Sequence, residues 1–171
     1  MNTTRVYQTV VTSGAAYELL QLIREGTSVK EVMSASVAIG DDGLRELSSI
    51  SDEDLAAVST WTRKSANSTG IEYCLLIGCV LCIFKAATAS DARKGLLTEM
   101  FLSLGIDKTQ AYRCIAVWKR AGRTLSSEPR LVYMFKPESL KLLCEKRSPD
   151  QVLEEAIQMA RDGITIDTKL A

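Results

Sequence analysis

From Tyr73 to Phe84 the chain carries no charged side chain, and the apolar character extends over Ile71 to Ala87. A surface helix shows a stripe of apolar residues, whereas a helix apolar on every side has to be enclosed. Spanning a bilayer takes about 20 apolar residues, and the uncharged run is shorter. The segment therefore predicts a helix buried inside its own protein, with other elements arranged around it. The 171-residue chain is 46% hydrophobic, which is enough to supply that covering. Its only prolines are at 129, 137 and 149, and β-branched alternation is scarce. Helical spacing recurs throughout, so the expected fold is an all-α, multi-helix bundle of about seven helices.

Capping signals place the helices. Gly26 ends a first helix over Gly14–Glu25. Ser28 and Glu31 form a capping box that opens a helix to about Ser36, and Gly40 to Gly43 reads as a turn. Ser51 caps a helix to about Lys64. Ala66 to Gly70 is the expected boundary, dividing an acidic N-terminal region, 1–66, from a second region, 67–171. Ser90 and Asp91 open a helix to Leu104, Asp107 caps another to Ala121, and a loop is expected between Gly122 and Phe135. Pro137 starts a short helix to Lys146. Ser148 is the expected cap of a last helix to Gly163, and Ile164–Asp167 is a short extended piece.

The charge balance narrows the function. Lys and Arg number 21, as do Asp and Glu. Residues 1–84 hold 6 basic and 10 acidic side chains, residues 85–130 hold 9 and 4, and residues 131–171 hold 6 and 7. Positive charge thus gathers in the middle, where an anionic partner would be met. Histidine is absent, which removes the commonest general base and metal ligand. No catalytic residue, cofactor or metal ligand is assigned, and an enzyme is not expected. The cysteines, Cys74, Cys79, Cys82, Cys114 and Cys144, are odd in number, and Cys79 and Cys82 lie within the apolar helix. They read as free thiols packed as small hydrophobes. Met1 to Arg5 contains no apolar targeting core, and a cytoplasmic location without membrane contact is expected.

The segment 97–121 has the pattern of a helix-turn-helix. Gly105 supplies the turn, Leu104 and Ile106 flank it, and Asp107 with Gln110 begins the second helix. At 100° per residue, Ala111, Cys114, Ile115 and Trp118 share one side of that helix. Thr109, Arg113 and Arg120 lie opposite with Tyr112 beside them, and Lys108 and Lys119 occupy a flank. Arginine can pair bidentately with guanine in the major groove, and either cation can neutralise phosphate. Lys108, Thr109, Tyr112, Arg113, Lys119 and Arg120 are accordingly the expected contacts to double-stranded DNA.

Three stretches resemble a bacterial and phage domain family of unknown function: Ile77 to Lys85, Leu97 to Gly105, and Asp107-Lys-Thr-Gln-Ala-Tyr-Arg113 through Trp118 to Gly122. In that family a glycine-containing apolar helix ending in lysine precedes a helix-turn-helix with an Ala-Tyr-Arg step. Lys136 to Leu140 and the region to Gly163-Ile-Thr are similar to the unit that follows it in plasmid and phage proteins, partition-type ones included. The resemblance covers about residues 70–168. It implies a DNA-associated accessory or regulatory role on a mobile element, and no known catalysis. The cysteine-rich apolar helix departs from the pattern. The expected assembly is a homodimer, with residues 1–66 free to engage a protein partner. The competing expectation is an interaction module that uses the same helical shape on protein rather than DNA.

Overall fold

The computed structural model describes residues 14–66 and 70–171. The N-terminal Met1–Arg5 and Asn67–Thr69 of the expected boundary lie outside the described residues. Helix dominates, as the spacing predicts. The α-helices are α1 (Ala15–Arg24), α2 (Val29–Arg45), α3 (Asp52–Ser65), α4 (Gly70–Ala87), α5 (Leu96–Ser103), α6 (Lys108–Ser127), α7 (Pro137–Leu143) and α8 (Asp150–Arg161). Short 3₁₀ turns occupy 46–49, 91–93 and 129–134. Among the described residues no strand forms. A single parallel bridge joins Phe135 to Ile166 within the segment expected to be extended.

Most starts follow the caps read from the sequence. Ser28 and Glu31 form the reciprocal capping box of α2, Ser51 accepts from the Asp54 amide, and Asp107 accepts from the Gln110 amide at 2.8 Å. Four details differ. α2 does not stop at Ser36 but continues to Arg45 through a kink at Gly40, whose φ of 64° is open to glycine and strained for other residues. The helix expected from Ser90 is a 3₁₀ turn, and α5 begins only after Gly95, at φ 99°. α6 runs beyond Ala121 to Ser127, because Gly122 stays in the helix with the Trp118 ring lying over its Cα. Finally, Ser148 does not cap α8. Pro149 is the N-cap, and the Ser148 carbonyl accepts a hydrogen bond from Arg120 instead.

α4 is the axis of the fold. Every residue from Cys74 to Phe84 is buried, and the covering comes from α2, the 46–49 turn, α3 and α6, with α1 packed on α2 and α3 behind them. α4 is long and apolar enough to cross a membrane, but 72% of it is enclosed by its own chain. The closest approach is at Gly78. A Cβ placed there would sit 2.1 Å from the Cys114 carbonyl oxygen and 2.6 Å from the Trp118 Cβ, so only a bare Cα lets the two backbones meet. Trp118 extends the contact. One continuous buried cluster runs from Ala16 to Ile166, so α1–α3 and the residues after 70 share a core.

Two arginines join the helices at their ends. Arg93 donates to the Ala87 carbonyl at the end of α4, to the Ile50 carbonyl and to Asp52. Arg120, on α6, donates to the Leu143 and Glu145 carbonyls at the end of α7, to the Ser148 carbonyl, and to the Asp150 carboxylate at the start of α8. The last carbonyls of a helix have no partner inside it, and a guanidinium with five donors can serve several at once.

Candidate nucleic-acid interface

α5 and α6 are joined by a tight turn, 104–107, in which Gly105 takes φ 67°. The Leu104, Gly105 and Ile106 amides return to the Met100, Leu102 and Phe101 carbonyls, which closes α5 with its own backbone. Phe101 of α5 meets Tyr112 of α6 edge to face, with centroids 5.8 Å apart. Lys85, near the end of α4, stands over the same Tyr112 ring at 5.3 Å. Three helices therefore fix the tyrosine, and its ring remains partly exposed.

The surface of α6 divides into three strips. Ala111, Cys114, Ile115, Val117, Trp118, Ala121, Gly122 and Leu125 are buried. Lys108, Tyr112, Lys119 and Arg123 are exposed along a second strip, with Ala116 half-buried between them. Lys108, Lys119 and Arg123 form no ion pair or side-chain hydrogen bond among the described residues. The third strip, Thr109, Arg113 and Arg120, borders α7 and the link to α8.

The third strip is where the sequence reading and the structure part. Arg113 is exposed but faces Glu145 at 3.7 Å. Arg120 is only 18% exposed, and both terminal nitrogens of its guanidinium are engaged by the carbonyls and carboxylate described above. It therefore does not point away from the protein as the helical wheel implied. Thr109 is exposed at the N-terminal end of α6. Of the six expected contacts, Lys108, Thr109, Tyr112, Arg113 and Lys119 are accessible and lie on one helix.

Two neighbours of the second strip were not among the expected contacts. Lys85 joins it through Tyr112, and Arg123 extends it by one turn because α6 does not stop at Ala121. The ring at Tyr112 and the excess length of α6 follow from tertiary packing, which residue spacing along a single helix does not encode. Two of these cations also share a buried thiol with a carboxylate. Burial pushes the Cys82 thiol up to about 12, against the lowering field of Lys119 and Lys85, while Asp41 raises it further. Asp41, which follows the kink at Gly40, thus acts on the same buried thiol as the two lysines.

Cys74, Cys79, Cys82, Cys114 and Cys144 are all buried free thiols. Among the described residues no group of three or more potential metal ligands converges. Comparison of the chain with family models, curated proteins and solved structures finds no match.

Proposed function

We propose that this protein binds duplex DNA through α6, as an accessory or regulatory factor of a plasmid or phage. The observation that carries the reading is the row Lys108, Tyr112, Lys119 and Arg123, whose cations are held out by a rigid helix without carboxylate partners among the described residues. Such charges neutralise phosphates at little cost, because no internal ion pair has to be broken first. The N-terminal turn of α6, with Lys108, Thr109, Tyr112 and Arg113, follows the glycine turn as the reading helix of a helix-turn-helix does, and it meets the base edges. Arg113 has only a loose, exposed partner to give up. Arg120 belongs to the scaffold that holds α6 against α7 and α8.

Fluorescence anisotropy of a labelled random-sequence duplex at two salt concentrations tests the proposal. Binding should weaken steeply as salt rises, and Lys119→Gln or Arg123→Gln should each flatten the logarithmic slope by about one unit. Absence of binding at low salt, or binding indifferent to salt, refutes it. The protein-interaction reading then takes its place, favoured by Leu102, which stands 75% exposed on α5 beside the turn.

A further inference from the structure

We propose that Cys74 and Cys114 form a redox pair that closes to a disulfide between α4 and α6. The two Sγ atoms lie 3.7 Å apart, with the Cys114 thiol donating to Cys74. The pairing follows from the helix crossing. Gly78 has no Cβ, so the Cys114 backbone lies directly on α4, and the Cys114 side chain reaches the residue one turn earlier, Cys74. The sulfurs need to close by about 1.7 Å to reach bonding distance.

The surroundings favour reaction here over the other three thiols. Lys141 reaches in from α7, 12% exposed and paired with Glu138 at 2.7 Å, and its positive charge acts on both sulfurs of the pair. The hydrogen bond from Cys114 pulls Cys74 down to about 7, with Lys141 assisting and burial and Glu138 opposing. The same hydrogen bond, together with burial, raises Cys114, which keeps its proton. Burial pushes Cys79, Cys82 and Cys144 each up to about 12. Thiolate is the reactive form, so Cys74 is the sulfur that an oxidant meets first. It also keeps 3% exposure, whereas Cys114 is fully enclosed.

The oxidant is a hydroperoxide. The Cys74 thiolate attacks one peroxide oxygen and breaks the O–O bond. The sulfenic acid forms, and the departing hydroxide takes up a proton as water. The Cys114 sulfur then attacks the sulfenic sulfur, the S–S bond forms, and the hydroxyl leaves with the Cys114 proton as a second water. Two thiols lose two electrons, and one hydrogen peroxide becomes two waters. The pair lies beneath the N-terminal half of α6, so closing it draws that half of the helix against α4 while α6 beyond Trp118 stays held by Arg120. This inference is independent of what α6 binds.

The test is to treat the reduced native chain with hydrogen peroxide, then unfold it, count thiols, and map peptides by mass spectrometry. The expected result is loss of two of the five thiols, a mass lower by two hydrogens, and one linked peptide joining Cys74 to Cys114. The same chain oxidised in urea should give mixed linkages, which ties the specificity to the fold. In Cys114→Ser, Cys74 should stop at the sulfenic acid, which a 1,3-diketone reagent captures. Five thiols surviving in the native chain, a link to Cys79, Cys82 or Cys144, or oxygen added to Cys74 while Cys114 stays free would each overturn the proposal. So would a Cys114→Ser chain in which Cys74 captures no reagent.

Discussion

Replacing Arg120 by alanine separates a binding side chain from a structural one. In the folded protein its guanidinium serves three carbonyls at 2.7 to 3.1 Å and the Asp150 carboxylate at 2.6 Å. A hydrogen bond to a charged group contributes about 1.5–3 kcal/mol net. The Asp150 arm is discounted, because its carboxylate is 85% exposed and such pairs contribute under about 1 kcal/mol. Water can also reach some of the carbonyls once the side chain is gone, so the three do not add in full. The expected loss for Arg120→Ala is about 3 kcal/mol. Arg120→Lys should recover only part of it, since one ammonium cannot span carbonyls on both sides of the α7–α8 link. Arg113→Ala is the matched control, expected within about 0.5 kcal/mol of the parent because its pair is long and exposed. Urea unfolding followed by circular dichroism measures all three, with the slope checked for constancy. An Arg120→Ala protein as stable as Arg113→Ala would refute the reasoning and return Arg120 to the list of surface contacts.

Other substitutions probe the crossing and the charged strip. Gly78→Ala forces a Cβ into the Cys114 carbonyl and should cost about 3 kcal/mol by overpacking, read by the same unfolding curve; a neutral result would mean that the helices are not in backbone contact. Trp118→Ala removes a ring buried against α4 and Gly122, with an expected loss of about 3–5 kcal/mol in thermal or urea unfolding. A chain beginning at residue 67 lacks α1–α3, of which α2 and α3 pack directly on α4, and should fail to give a cooperative transition; a sharp transition would show that the second region has a core of its own. Asp41→Asn removes a carboxylate that acts on the same buried thiol as Lys85 and Lys119. Two charges in water interact by at most about 1 kcal/mol, so duplex affinity should rise by no more than a few-fold in anisotropy titrations at low salt, and a fall in affinity would refute the charge argument.

The sequence was most legible where a single helix decides its own fate. The caps at Ser28, Ser51 and Asp107, the glycine stop at Gly26 and the burial of α4 depend on residues within one or two turns of each other, and each appears in the structure. The errors share a tertiary origin. Gly122 looks like a helix terminator until the Trp118 ring is seen to pack over it, and Ser148 looks like a cap until Arg120 claims its carbonyl. The helical wheel placed Arg120 on the open side of α6 correctly as an angle. It could not show that α7 and α8 would cover part of that side. Arg93 is held inward by the same logic of unpaired carbonyls at a helix end, which nothing in its sequence neighbourhood signals. The thiol contact between Cys74 and Cys114 spans 40 residues of sequence and depends on one glycine between the helices.

The central position of α4 also has a consequence in time. A ribosome releases α1–α3 first, and α2 and α3 can cover part of α4 as it emerges. The rest waits for α6, whose last residue, Ser127, follows Ala87 by 40 positions. At about 5–20 residues per second that interval lasts about 2–8 s. Throughout it the nascent chain displays an apolar helix half covered, the kind of surface that chaperones recognise and that neighbouring nascent chains can pair with. Slowing translation between codons 88 and 127 should therefore lower the yield of folded protein, whereas slowing it after α8 should leave the yield unchanged.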